Sequence, residues 1–230
     1  MTKFAKGSSS EAATTAYVPI FEHNGVTRNL TLGLNTSAIL LSDPKLVLFT
    51  LSKYKFAGKI LQGRDNILEV GCMDGFGSLL LKSFVSSLTS VDFFSEHIRQ
   101  AKSHINAVNP DIQFLELDFL DSSYQNCFDG LVCFDVLEHI EPSQCNHFLL
   151  NIKKALTGAG VAIIGMPSLE SQRYASEANR RSHINCMDRK QGLNILSPFF
   201  KTILPFSMND EVVHTGFDQM SHYHIYVCLA

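Results

Sequence analysis

Ile67-Leu68-Glu69-Val70-Gly71-Cys72-Met73-Asp74-Gly75-Phe76-Gly77 is the stretch whose reading decides the fold. Residues 67–70 read as a short buried parallel strand. Gly71, Gly75 and Gly77 then make a turn, and a helix opens over residues 78–84. A strand that passes through glycines into a helix is how an α/β sheet forms a nucleotide crevice, because backbone without Cβ turns tightly and lets a ligand approach. The glycine spacing is not that of the dinucleotide fingerprint G-x-G-x-x-G. Glu69 adds a clue: a carboxylate in a buried strand is costly unless paired. A cationic or hydroxyl-rich ligand in the crevice would supply the pairing.

Downstream, the alternation of strand and helix continues. A second strand over residues 88–91 ends at Asp92-Phe93, about one βα unit after Glu69, where a ribose-binding carboxylate is expected. Phe93 is placed to pack on a base. Ser95 caps a helix carrying Ile98, Ala101, Ile105 and Val108, and Asn109-Pro110 breaks it. A third strand over 112–117 ends at Asp118-Phe119, and a fourth covers 128–134. A helix from Ser143 turns Phe148, Leu149, Ile152 and Leu156 inward and ends at Gly158-Ala159-Gly160; a fifth strand follows over 161–166. Residues 169–198 are polar and irregular, and 201–206 and 222–229 read as two final strands. Upstream, Ser42-Asp43-Pro44 opens a helix to about Leu61, ending near Gly63. Residues 16–41 have no clear period and read as a short hairpin or an arm, covering the active site or a partner subunit.

Composition narrows the function. The 230 residues, 45% of them hydrophobic, suit one domain with a small appendage. The boundaries drawn are 1–41, an N-terminal tail and arm, and 42–230, a catalytic domain with a substrate-side insertion at 169–198. A net charge of −3 without a basic block argues against nucleic-acid binding. No apolar run is long enough to span a bilayer, and residues 1–15 lack a signal peptide's apolar core. The six cysteines are scattered without a C-x-x-C pair, which points to free thiols in a reducing cytoplasm.

The run E-V-G-C-x-D-G-x-G from Glu69 to Gly77 resembles the first motif of class I S-adenosylmethionine (SAM) methyltransferases. The run Phe128-Asp129-Gly130 through Asp135-Val136-Leu137-Glu138-His139-Ile140 resembles their small-molecule branch. The resemblance is good over residues 43–168 and topological beyond. It implies a Rossmann-like α/β fold with a seven-stranded sheet, mostly parallel with the last strand antiparallel, and helices on both faces. It implies SAM as cofactor, held by Glu69, Gly71, Cys72, Asp74, Gly75 and Gly77 of the loop, with Asp92 and Phe93 at the ribose and adenine. Asp118 accepts from the adenine amino group, or only caps a turn; Phe119 offers its backbone N–H. Phe134, Asp135 and Val136 lie beside the transferred methyl group. The helix before the first strand covers the cofactor, so Tyr54 or Lys55 meets its methionine carboxylate; alternatively Lys55 is solvated and Tyr54 packs.

A hydroxyl acceptor needs its proton removed, and histidine is the usual base. His139, His183 and His214 are the candidates. Asp135, Glu138 and His139 have i, i+3, i+4 spacing and share a face if helical. With His183 they resemble the E-x-x-E-H…H metal set of small-RNA 3′-end and ubiquinone-pathway methyltransferases, with Asp at the first position. Mg²⁺ or Mn²⁺ would suit such ligands; otherwise D-V-L-E-H is a helix start in a metal-free enzyme. The polar run 207–217, between the last two strands, either folds over the pocket or is a hairpin turn. The expected reaction is O-methylation of a small hydroxylated acceptor, a sugar or related metabolite, with a phenolic or quinone-like acceptor next. The alternative class is a SAM-binding regulator without transfer activity. A nicotinamide dehydrogenase is disfavoured by the glycine spacing and by Glu69. A homodimer is left open.

Overall fold

A computed structural model describes residues 29–230. Expectations for residues 1–28, including the N-terminal tail, lie outside them. Residues Leu32–Ala230 form one compact unit. Its centre is an eight-stranded sheet in the order β3-β2-β1-β4-β5-β8-β6-β7. β1 (Asn66–Val70), β2 (Ser87–Asp92), β3 (Ile112–Glu116), β4 (Phe128–Phe134) and β5 (Leu156–Pro167) are parallel to one another. β8 (Tyr223–Leu229) runs antiparallel between β5 and β6 (Thr202–Asn209). The chain moves outward from β1 to β3, then crosses back to β4, so β1 and β4 flank a topological switch point. Ligands of such sheets bind at the carboxyl ends of the strands there.

The strand missing from the sequence reading is β7 (Val212–His214), an edge hairpin with β6 in which Ser207 pairs with His214. The polar run 207–217 is therefore this hairpin, with Asp210 in the left-handed region at φ 46°.

Hydrophobic side chains divide between two layers. α2 (Lys45–Leu61), α3 (Phe76–Lys82) and α4 (Ser95–Gln100, continued by a π turn over Ala101–Ile105) cover one face; α5 (Cys145–Ala155) and α7 (Arg189–Leu196) cover the other. Phe148, Leu149 and Ile152 of α5 are fully buried, as their spacing predicts, worth about 1.5–3 kcal/mol each. Alternation along β8 serves both layers: Tyr223, Ile225 and Val227 face one and Tyr226 and Cys228 the other.

Three local expectations are corrected. Residues 34–42 are not a hairpin but a helix, α1 (Leu34–Ser42), so Ser42 ends one helix and Asp43 starts the next by accepting from Lys45 N at 3.0 Å. Ser95 makes no capping bond; it is the first residue of α4, behind Phe94. The segment 169–198 is more regular than its polarity suggests. It holds a 3₁₀ turn (Glu170–Tyr174), α6 (Glu177–Ser182) and α7, which Asp188 and Gln191 start with a capping box. Among the described residues no helix is long and apolar enough to cross a membrane.

Candidate functional site

A cavity of about 510 Å³ opens at the carboxyl ends of β1, β2, β3 and β4, at the switch point. Of the sequence-predicted residues, Gly71, Asp92, Phe93, Asp118, Phe119, Asp135, Val136 and His139 line it. Gly71 has φ 81°, and a Cβ on it would stand 2.2 Å from Val136 Cγ2. Glycine is thus required here both by backbone conformation and by space.

Asp92 is buried at the end of β2. Its Oδ2 accepts from Met73 N at 2.9 Å and its Oδ1 from Phe94 N at 3.0 Å, with His97 Nδ1 at 3.1 Å. A carboxylate has about four lone-pair directions, so acceptor capacity toward the cavity remains. Phe93 is 73% exposed at the rim. Asp118 caps the following 3₁₀ turn through Leu120 N at 3.0 Å and also lines the cavity.

Other predicted residues are engaged elsewhere. Glu69 is engaged inside the chain through one oxygen: its Oε2 accepts from Ser78 Oγ at 2.5 Å and Ser90 Oγ at 2.6 Å. Burial raises its pKa, and these hydroxyls oppose the rise. Tyr54 packs edge-on against Phe134, with ring centroids 5.5 Å apart, and against Gly77, where a Cβ would lie 2.1 Å from the tyrosine ring. Burial and the neighbouring Glu69 push the Tyr54 hydroxyl's pKa well up. Gly75 forms the N-cap of α3 over Phe114. Cys72 is buried, and Asp74 is spent on α1, accepting from Thr36 N and Thr36 Oγ1, each at 2.7 Å. Lys55 is exposed on the outer face of α2. The lysine that enters the interior is Lys53, at 1% exposure, ion-paired with Asp135. Its signal was in the sequence: Lys53, Ala57 and Leu61 are spaced i, i+4, i+8, and all three are buried. His97, Met73 and Gln144, also missed, line the cavity. His97 links Asp92 to α1 through Asn35 Nδ2, 2.7 Å from His97 Nε2.

The D-V-L-E-H segment is not one α-helical face. Asp135 is left-handed at φ 57°, and a 3₁₀ turn follows over Leu137–His139. Asp135 consequently leaves the proposed metal set for Lys53. Glu138, His139 and His183 do come together, with potential ligand atoms within 4.8 Å of one another. Glu138 is fully buried, and neither carboxylate oxygen accepts a hydrogen bond from another described residue. Burial, then Asp135, raises its pKa well above normal. His139 Nδ1 lies 2.9 Å from Ser182 O, and His183 Nδ1 lies 3.1 Å from Gln172 Oε1. A carbonyl only accepts, so each imidazole carries its proton on Nδ1 and offers an Nε2 lone pair, unless it is fully protonated. Burial, then His139, lowers the pKa of His183, which favours its neutral form. The third candidate base, His214, stands apart from this set and is absorbed in its own hairpin: Nε2 pairs with Asn209 Oδ1 at 2.8 Å and Nδ1 accepts from Gly216 N at 2.9 Å.

Residues 67–160 match the family model described as a methyltransferase domain. Over 109 residues the chain is 28% identical to a ubiquinone biosynthesis O-methyltransferase of Rickettsia akari, covering 47% of this chain and 43% of that one. Over 103 residues it is 32% identical to nodulation protein S of Azorhizobium caulinodans, covering 44% and 49%. The matched stretch spans less than half the length of either relative. In structure it is similar to the N-methyltransferase NodS of Bradyrhizobium japonicum in complex with S-adenosylhomocysteine, with a TM-score of 0.57, 20% identity, and 82% and 86% of the two chains covered. The switch-point cavity and the strand order with its antiparallel β8 give the chain the fold of class I SAM-dependent methyltransferases, and within it residues 67–160 match a methyltransferase domain.

Proposed function

We propose that the chain transfers the methyl group of SAM to an oxygen of a small hydroxylated acceptor, a sugar or related metabolite. The observation that carries this reading is the pair of imidazoles, His139 and His183, offering Nε2 lone pairs, with His139 lining the same cavity as Asp92. In this reading Asp92 takes the ribose hydroxyls, Phe93 and Asp118 border the adenine, and Gly71 lets the ligand pass close to the backbone. SAM's sulfonium already activates the methyl group, so the protein's work is alignment and proton removal. His139 is the base nearest the cavity, and His183 supports it.

The buried, unpartnered Glu138 fits a cation, since an isolated carboxylate is costly to bury. Alternatively, Glu138, His139 and His183 would hold a Mg²⁺ or Mn²⁺ ion; the Nε2 lone pairs would then be its ligands instead of bases, and the ion would lower the pKa of a coordinated hydroxyl. Ser182 O and Gln172 orient the two imidazoles for that role, as partners of metal-ligating histidines do. A phenolic or quinone-like acceptor is the second reading, favoured by Leu169, Tyr174 and Ile184, which are exposed on the segment that carries His183.

The test is calorimetric titration with SAM and S-adenosylhomocysteine, repeated after EDTA and with added Mg²⁺. The expected outcome is micromolar binding, weakened at least about tenfold in Asp92→Ala by loss of a charged hydrogen-bond acceptor. Absence of binding by folded wild-type protein would refute the reading.

A further inference from the structure

Lys53 is an unusual group for the middle of a domain. Its ammonium is 4.6 Å from the ring centroid of Tyr223, 4.7 Å from that of Phe49 and 5.9 Å from that of Phe134. The rings come from the start of β8, from α2 and from the end of β4. Three aromatic faces around a cation offset part of its desolvation, but a cation at 1% exposure still needs a counter-charge. Its one carboxylate partner among the described residues is Asp135.

Asp135 is correspondingly constrained. Its backbone is held in the left-handed region at φ 57°, which non-glycine residues avoid, and its N–H donates to Gly165 O of β5 at 3.1 Å. Its side chain is 39% exposed and lines the cavity. Strained backbone at a cavity wall persists only where surrounding structure over-determines it. Here the determinants are the β5 hydrogen bond on one side and the caged ammonium on the other.

The cavity has two ends. Asp92, Phe93 and Asp118 stand at the ends of β2 and β3; Gly71, Asp135 and Val136 stand at the ends of β1 and β4. With a nucleoside at the first end, the rest of a SAM-like ligand extends to the second, and that remainder is cationic at its amino group. We propose that Lys53 is a positioning residue: its caged ammonium fixes the Asp135 carboxylate in the wall, so that this carboxylate sets the affinity for the amino-acid end of the ligand. The assignment rests on the SAM reading above. It gives Asp135 a resident cation from the chain itself in place of the metal that the sequence pattern suggested.

The experiment is a double-mutant cycle of Lys53→Met and Asp135→Asn. Thermal unfolding and calorimetric binding of S-adenosylhomocysteine and of adenosine are measured for all four proteins. Each single change leaves a charge without its partner and lowers Tm, whereas the double variant, having neither charge, recovers most of it. Adenosine affinity stays within about twofold of wild type in every variant, while S-adenosylhomocysteine affinity falls at least about tenfold in all three. The loss in the double variant equals that in Asp135→Asn, because Lys53 acts through Asp135. Asp135→Asn alone tests the carboxylate if Lys53→Met fails to fold. Wild-type affinity for S-adenosylhomocysteine in the double variant, or equal losses for both ligands, would overturn the assignment. If wild-type protein binds neither S-adenosylhomocysteine nor adenosine, the SAM reading itself falls, and the inference with it.

Discussion

At the scale of single residues, what separates ligand-facing from structural groups is where their hydrogen-bonding capacity is spent. Glu69, Tyr54 and Asp74 carry the polar chemistry a cofactor needs, yet the chain uses it internally, on Ser78 and Ser90, on burial beside Glu69, and on Thr36. Asp92 and Asp118 spend part of theirs on turn N–H groups and still border the cavity. Two glycines allow conformation and space to be told apart. Gly63 and Gly71 both have φ near 80°, but a Cβ at Gly63 meets nothing within 4 Å, whereas at Gly71 it strikes Val136. Gly63→Ala should therefore cost only the left-handed strain, about 1 kcal/mol or some 2–4 °C in Tm. Gly71→Ala should cost more and also displace Val136 in the cavity wall, so calorimetry should find S-adenosylhomocysteine binding lost in it and intact in Gly63→Ala.

At the scale of elements, α1 is the clearest case of a tertiary contact deciding local structure. Nine residues form at best a marginal helix in isolation, and α1 has no side-chain cap of its own. It is held by Thr36 on Asp74, by Leu34 N on Gln100 Oε1 at 2.7 Å, and by Asn35 on His97. Thr36→Val keeps the shape but leaves Asp74 Oδ1 without its hydroxyl donor. The expected cost is about 1–3 kcal/mol, and amide exchange should quicken over Leu34–Ser42 while β1 stays protected. Unchanged exchange in α1 would show that the Asp74 contact does not hold the helix. The insertion is also pinned by specific contacts, since Asn185 N donates to Glu138 O at 2.9 Å and His139 reaches Ser182 O. This is how a segment of polar sequence becomes a wall that brings His183 to Glu138.

At the scale of the whole molecule, the sheet brings together groups that no local pattern relates. On β8, His224 is 1% exposed, neither ring nitrogen is hydrogen-bonded to a described residue, and Glu170 Oε2 from the insertion lies 3.8 Å from its Nε2. Burial, then the Arg189 charge, lowers its pKa from 6.5 to about 4. The unfolded chain therefore takes up this proton before the folded one, so stability falls as pH drops from 6.5 toward 4. The full effect is on the order of 3 kcal/mol. Thermal unfolding between pH 7 and 4.5 should show a steeper loss for wild type than for His224→Gln. Parallel curves for the two proteins would rule out this contribution.

The order of strands and helices through β5, the glycine turn and the acidic residues at the ends of β2 and β3 were determined by the sequence alone. Each depends on neighbours in the chain: a buried apolar run, a turn that needs Gly71, a carboxylate that closes a strand. So was the inward face of α5 at Phe148, Leu149 and Ile152, which helical periodicity specifies, although Leu156 and the glycines at 158 and 160, expected at the end of this helix, belong to β5. What only tertiary structure decided is the assignment of partners. Lys53 rather than Lys55 enters the core because helix phase and the Phe49, Phe134 and Tyr223 rings select it. Asp135 goes to Lys53 and not to the Glu138, His139 and His183 cluster because its left-handed backbone breaks the helical face that the spacing suggested. His214 leaves the list of bases because β7, which carries it, pairs it with β6 across the hairpin. Spacing along a chain states which residues can meet; burial and competing partners, set by the whole fold, decide which do.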